Sequence, residues 1–463
     1  NKKKINREVL DSVFVYINNL ITEANKKYNV PIFLNSFYDS RWLVDGSLSI
    51  DTEILSQTTF NFLLNSKILK SKSKNIKIYN LDNIIRNSGG LESIGGASFL
   101  KMRASLNEFG FINLSRDLAS LIANYKNKSH RAIILDLDNT LWGGEIGDLG
   151  NDNIILGQET PEGFGYQLIQ NYLKQISHYG ILLAVSSKNE KKIFDVFDEN
   201  HNCILKKDDF SSVHINWDPK SISVEKIQQD LNFGTDLMLF MDDDYMNLID
   251  VAVNHPEIDI IHSSKYPEIS LDRISKSKYF NFLDVTKEDL DRKINQSILI
   301  KQNKLKKNFS NYEDFLKSLD IKIIEHDFNE GNKVRIIQLI NKTNQFNLTS
   351  KRYSETEIET MLKGPFKFGV FEYVDKFGSQ GIISVCILKE EQNVTKIDTW
   401  LMSCRVLNRK VENKVFDWIK KVTKSDTVKG IYIPTKKNMM VKDLYLKMGF
   451  YETNIQNNYE VKI

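Results

Sequence analysis

Apolar side chains recur at Val9, Leu10, Val13, Phe14, Ile17, Leu20 and Ile21, the spacing of one helix face, and Val30 to Leu34 then reads as a buried strand. A helix-like stretch from Ser56 to Leu69 precedes a second strand at Ile76 to Tyr79, and Asn87-Ser88-Gly89-Gly90 breaks the pattern as a loop. Residues 1–128 are expected to form an incomplete α/β domain. From Arg131 the rhythm changes. The apolar run Ala132 to Leu135 ends in Asp136-Leu137-Asp138-Asn139-Thr140. Helical stretches at Tyr166 to Tyr179, Lys191 to Glu199 and Val224 to Leu231 alternate with apolar runs at Ile181 to Val185 and Leu237 to Met241. Such alternation predicts a parallel sheet with crossover helices over residues 129–280.

After Phe280 the chain turns charge-rich, and lysines cluster from Lys301 to Asn308 as a solvated helix face. A helical linker is expected over 281–310. Beyond it, strands are predicted at Ile321 to Ile324, Gly369 to Val374, Gly381 to Leu388 and Ile397 to Val406, with helices at Val411 to Val422 and Val441 to Met448. Ser354 and Glu357 form a capping-box signature. The expected class is α/β, multi-domain, with a Rossmann-like parallel sheet followed by a further α/β domain over 311–463.

Composition narrows the partners. At 463 residues the chain is long enough for about three domains, each able to bury its own core. Lys and Arg number 63 against 60 Asp and Glu, so no strongly basic surface is forced on the molecule and nucleic acid is not an expected partner. A hydrophobic fraction of 41% without a membrane-length apolar run leaves no expectation of a membrane. Cys203, Cys386 and Cys404 have no close spacing, which fits a reducing cytoplasm better than a disulfide framework or a cysteine zinc site. The chain opens on Asn1 with no charged-then-apolar leader, so it is expected to be part of a longer protein and not a secreted one.

Two carboxylates two residues apart at a buried strand end repel each other unless a cation sits between them, and oxygen ligands suit Mg²⁺. Asp136 and Asp138 have that spacing, and the run ending at Met241 brings Asp242, Asp243 and Asp244 toward the same edge. The strand between them ends in Ser186-Ser187-Lys188, and Lys220 follows Trp217-Asp218-Pro219. Nucleophile, metal ligands, hydroxyl and lysine make a phosphoryl-transfer site. Ser186 competes with Ser187 for the hydroxyl, Asp244 is either a metal-shell member or a helix N-cap, and His214 and Trp217 are expected to be packing residues.

The run Leu135-Asp136-Leu137-Asp138-Asn139-Thr140-Leu141 resembles the first motif of the haloacid dehalogenase superfamily, and Trp142-Gly143-Gly144 resembles its FkbH-like branch. The resemblance implies Asp136 as nucleophile, Asp138 as general acid/base, Ser187 as the phosphate-binding hydroxyl and Lys220 as the lysine. Mg²⁺ would be held by Asp136, Asp138, Asp242 and Asp243. Only a short segment separates Thr140 from Ile181, too short for a cap domain.

Asn341 to Asn347, Met402 to Leu407 and Asp443 to Phe450 resemble signatures of the GNAT-like acyltransferase domain that FkbH-like proteins carry after their phosphatase. The resemblance implies a loop from Arg405 to Val411 that binds phosphopantetheine, with Arg405, Arg409 and Tyr445 at the cofactor. Alternation along the strand Ile397 to Val406 places Cys404 on a face with Trp400 and Met402, and the adjacent Arg405 would favour its thiolate, so Cys404 is read as an acyl-carrying catalytic residue, the alternative being a packing residue. Relatives have glycines where this chain has Asn408 and Lys410. Their N-terminal domain resembles an SGNH esterase, but residues 1–128 hold no Gly-Asp-Ser and no Asp-x-x-His and are expected to be non-catalytic.

The function implied is bifunctional: Mg²⁺-dependent phosphatase and glyceryl transferase. A phosphorylated three-carbon substrate, 1,3-bisphosphoglycerate, would yield a glyceryl thioester on an acyl carrier protein in polyketide or related biosynthesis. Arg405, Arg409 and Lys410 are expected to meet that acidic carrier. The alternatives are a phosphatase and acyltransferase of surface-polysaccharide synthesis, or a non-catalytic scaffold.

Overall fold

The computed structural model describes residues 7–28, 32–38, 57–70, 76–126, 129–151, 153–277, 280, 290–306 and 308–463. The chain divides into two compact units, one of Asn1–Ser129 with Ser277–Asp284 and one of His130–Lys276 with Val285–Ile463.

In the first unit, strands β1 (Ile32–Asn35) and β2 (Ile76–Tyr79) pair in parallel, Ile32 opposite Ile76. The helices Arg7–Lys27 and Gln57–Lys70 bring Leu10, Leu64 and Ile68 into one small core; the apolar spacing predicts the first of these helices, although Val9 and Leu20 of its expected face are exposed. Val30 and Ser56, the expected starts of the first strand and second helix, lie outside the described residues.

The second unit opens on a five-stranded parallel sheet of order β5-β4-β3-β6-β7, formed by β3 (Ala132–Leu135), β4 (Leu182–Ser187), β5 (Phe210–Ile215), β6 (Met238–Asp242) and β7 (Asp259–His262). The class is α/β, as the alternation predicts. β3 is central and flanked by β4 and β6, with Leu135 opposite both Val185 and Met241. Strands covered on both faces need apolar side chains throughout, and Ala132 to Leu135 are all fully buried. Between β3 and β4 the described residues hold a turn-rich loop, the short helix Ile146–Leu149 and one crossover helix, Pro161–His178, with no cap domain. Thr160 starts that crossover by accepting from the Gly163 amide, and Pro161 sits at its first position.

The helix Arg292–Lys306 occupies half of the expected linker. Arg292 donates to the Gly180 carbonyl, Lys293 pairs with Asp209 at 2.9 Å, and Gln296 donates to the Asp230 carbonyl at 2.6 Å, all in the parallel-sheet region. Farther along, buried Gln302 bonds Asp375.

The other sheet of this unit is mixed and has the order β14-β15-β13-β12-β11-β10-β8. Its strands are β8 (Lys322–His326), β9 (Phe346–Asn347), β10 (Phe366–Asp375), β11 (Gly378–Glu390), β12 (Thr395–Met402), β13 (Thr427–Ile431), β14 (Tyr451–Glu452) and β15 (Asn458–Lys462). β12 and β13 are parallel but pair only from Thr395 to Ile397, whereas β9 pairs with β12 at Leu401 and Met402. The predicted capping box of Ser354 and Glu357 starts the helix Glu355–Leu362.

Two expectations need correction. The strand expected to run through Val406 ends at Met402, and Cys404–Val406 form a 3₁₀ turn. The alternation that placed Cys404 on a face with Trp400 and Met402 therefore stops short of it. The helix expected from Val441 to Met448 is broken into a 3₁₀ turn at Met439–Val441 and a single turn at Leu444–Lys447.

Candidate phosphatase site

In a parallel sheet every strand hands the chain on at the carboxyl edge, where ligands of open α/β sheets bind. Asp136 comes directly after β3, Asp242 ends β6, and Asp243 comes next. Carboxylate oxygens of these three residues lie within 4.8 Å of one another. Lys220 opens the helix Lys220–Leu231, and its buried ammonium reaches Asp136 Oδ1 at 2.6 Å, Asp242 Oδ2 at 3.0 Å and the Ser186 carbonyl at 2.6 Å.

Charge balance explains the electrostatics. Burial pushes the Asp136 carboxyl up to about 7 against the pull of Lys220, and Asp242 adds to the rise. Burial alone would lower the Lys220 ammonium, yet Asp136 and Asp242 hold it above its usual range. Asp243 is raised by burial and then by neighbouring Asp242. Three clustered carboxylates face one buried ammonium, so the cluster is short of positive charge. An all-oxygen donor set short of positive charge fits Mg²⁺, which Asp136, Asp242 and Asp243 would hold.

Asp138, expected among the metal ligands, is not in this triplet. Its Oδ1 accepts from Trp142 Nε1 at 2.8 Å and from the Ile146 amide at 3.1 Å, and its Oδ2 accepts from Asn189 at 2.8 Å. Burial raises its carboxyl despite these bonds. Such a group is tethered and separate from the triplet, which suits an acid/base role better than ligation. Asn139, in the turn just after Asp138, adopts a left-handed φ of 53° and accepts from the Gly144 amide at 2.9 Å. That pairing of conformation and local bond is why Asn serves there.

Ser187 is the buried last residue of β4. The Ser186 hydroxyl is buried without a hydrogen-bond partner, while its carbonyl holds Lys220. Asp244 resolves as the N-cap of the helix Tyr245–Asn254, accepting from the Met246 amide at 2.8 Å. His214 pairs with Asp230 at 2.9 Å. Trp217, expected to pack, is 72% exposed.

Several positioning residues escaped sequence reasoning. Trp142 and Asn189 hold Asp138, and Asn247 donates to Asp242 Oδ1 at 3.1 Å. Trp142 stands inside the Trp-Gly-Gly motif, which was its only signal; the other two reach the site through tertiary contacts.

The residues expected at a second site are not gathered in the same way. Arg409 is buried, lies over the Phe315 ring at 4.8 Å and donates to Gln302 at 3.4 Å. It is thus turned inward and is not presented to a carrier protein. Lys410 is paired with Glu313 at 2.6 Å. Tyr445 is fully buried and packs across β13, where a Cβ on Gly430 would come within 2.3 Å of its ring, so it is a core residue in this structure and not a cofactor contact. Arg405 stays near its own turn, its Nε 3.3 Å from the Ser403 hydroxyl. The side chain of Cys404 lies outside the described residues. Asn408 and Lys410 both have left-handed φ, 60° and 59°, so this turn keeps a glycine-type backbone without glycine.

No protein-family model matches the sequence, and the search of curated proteins found no match. Among solved structures, the chain is similar to the N-terminal part of a Bacteroides fragilis protein containing a phosphatase domain, determined in complex with Mg. The likeness covers 60% of this chain and 75% of that one, at 24% identity and a TM-score of 0.54. The two share a fold. Fainter likenesses reach a putative GNAT-family acetyltransferase from Desulfovibrio desulfuricans and a predicted HAD-like hydrolase from Porphyromonas gingivalis. The first has 5% identity and a TM-score of 0.24, covering 31% of this chain and 98% of that one. The second has 13% identity and a TM-score of 0.21, covering 31% and 97%. Among the described residues, no helix is long and apolar enough to cross a membrane.

Proposed function

We propose that the chain is a Mg²⁺-dependent phosphatase joined to an acyltransferase, a reading carried by the cluster of Asp136, Asp242 and Asp243 around buried Lys220. Asp136 is the nucleophile: its carboxylate attacks phosphorus, the ester oxygen departs, and water later releases phosphate from the aspartyl group. Asp138, held by Trp142, Asn189 and the Ile146 amide, protonates the leaving oxygen and afterwards takes a proton from the attacking water. Ser187 offers its hydroxyl to the phosphoryl oxygens, and Lys220 keeps Asp136 and Asp242 in place. Bound Mg²⁺ supplies neutralisation of phosphoryl charge.

In the finer reading, the cytoplasmic substrate is 1,3-bisphosphoglycerate and the second activity transfers its glyceryl unit. The Cys404 thiolate attacks the acyl carbon and inorganic phosphate leaves. The thioester then passes to the phosphopantetheine thiol of an acyl carrier protein serving polyketide or related biosynthesis. Three features support this: the motif resemblance in the C-terminal part, the parting of parallel β12 and β13 after Ile397, and a phosphatase region without a cap to shut out a tethered substrate.

Phosphate release from 3-phosphoglycerate and p-nitrophenyl phosphate tests the first activity. It should vanish in Asp136→Asn and in excess chelator; full release by either preparation rejects the nucleophile assignment. Intact mass after incubation with 1,3-bisphosphoglycerate tests the second. An acyl adduct is expected, and it should be absent in Cys404→Ala. A Cys404→Ala variant that loads a carrier protein at the wild-type rate rejects the covalent step.

A further inference from the structure

The inner lysine of the proposed phosphatase site is committed to the protein: Lys220 hydrogen-bonds Asp136 and the Ser186 carbonyl and forms an ion pair with Asp242 at 3.0 Å. A second lysine differs in every respect. Lys188 comes directly after Ser187 at the end of β4, is exposed, and donates to Asn247 Oδ1 at 2.8 Å. Asn247 belongs to the helix after β6. β4 and β6 flank β3 on opposite sides, so the Lys188 side chain crosses the end of the strand that delivers Asp136.

Among the described residues no carboxylate pairs with Lys188, even though Asn247 also holds Asp242. Its one partner is a neutral amide, which an anionic acceptor outcompetes because charge-assisted bonds between ions are stronger. Lys188 thus places an available cation over the mouth, outside the buried level of Asp136 and Lys220.

We infer that Lys188 is a specificity-determining residue, binding a second anionic group, carboxylate or phosphate, on the phosphate ester hydrolysed at Asp136. The inference rests on the phosphatase reading above.

Two esters that differ only in the second anion test this: 3-phosphoglycerate carries a carboxylate where glycerol 3-phosphate carries a hydroxymethyl group. Wild type should favour 3-phosphoglycerate in kcat/KM by about tenfold, chiefly through KM. Lys188→Gln should bring the ratio close to one, and Lys188→Arg should keep it. Calorimetry on Asp136→Asn should show the same preference in affinity, lost when Lys188→Gln is added. Equal affinity for the two esters overturns the inference, as does a Lys188→Gln variant that weakens both alike, which would make Lys188 a mere counter-charge. If no ester including p-nitrophenyl phosphate is hydrolysed while the calorimetric preference persists, the phosphatase reading fails and the anion site stands.

Discussion

Lys220 and Arg409, two of the cations buried among the described residues, lie one in each sheet region, and their surroundings are opposite. Lys220 in the parallel-sheet region forms ion pairs with two carboxylates and donates to a carbonyl. Arg409 in the mixed-sheet region has one amide oxygen and the face of Phe315, and its Nη1 is buried without a hydrogen-bond partner. A buried charge that is fully paired marks a place where charge is used; one that is under-paired costs desolvation with little return. The contrast parallels the geometry of the two candidate sites: the proposed phosphatase site assembles from side chains already in contact, whereas the residues expected at the proposed transferase cofactor are dispersed into packing.

The sharpest way to break this comparison is Lys220→Met. Removing the ammonium leaves Asp136 and Asp242 buried together, and unfolding in urea without Mg²⁺ should show a loss of about 3 kcal/mol or more. Added Mg²⁺ should recover part of that loss, because it replaces the missing charge. A variant as stable as wild type without Mg²⁺ would mean the pairing contributes nothing.

Asp209→Asn probes a third ionic arrangement, the pair of Lys174 and Lys293 on one carboxylate at 2.5 and 2.9 Å. Burial alone would raise Asp209, but the two lysines hold it below its usual range. Its stabilisation is complete above the unfolded carboxylate pKa of about 4 and is lost as pH falls through the lowered folded value. Near pH 7 the variant should be about 2 kcal/mol less stable, and the gap in Tm should close on acidification below about pH 4. A gap that is independent of pH would assign the effect to packing.

Trp142→Phe removes one bond to Asp138 and keeps the ring among its neighbours. The expected cost is about tenfold in kcat, with the acidic and basic limbs of the pH profile displaced, because the orientation and ionisation of Asp138 change together. An unchanged profile would leave Trp142 as a core residue only.

Arg409→Met should do least. It forfeits one long hydrogen bond and a ring contact but also relieves an unpartnered donor, so stability should change by less than about 1 kcal/mol. A loss as large as that of Lys220→Met would erase the difference between the regions.

The same contrast governs what sequence could reveal. β3 and β6 are covered on both faces, so they read as apolar runs, and the aspartates ending them are visible as breaks in that run. β5 escaped because its Phe-Ser-Ser-Val-His-Ile sequence is half polar, as an edge strand permits, and β7 is a four-residue edge. The contacts of Trp142 with Asp138 and Lys188 with Asn247 depend on a tight turn and on strand order, neither of which leaves a periodic trace. Cys404 was misplaced for a local reason. β12 loses its partner β13 early and stops at Met402, so an apolar sequence continued where the strand did not.

The helix Arg292–Lys306 binds the parallel-sheet region through Arg292, Lys293 and Gln296 and the mixed-sheet region through Gln302, all within fifteen residues. Its anchors are therefore locked in angular phase. One residue inserted between Gln296 and Gln302 would swing Gln302 by about 100° and advance it about 1.5 Å, releasing Asp375 and Arg409 together. Seven inserted residues would nearly restore the angle but lengthen the span by about 10 Å. Thermal melting should then separate into two transitions for either insertion, and a single transition at the native Tm would show that the regions are joined by other means.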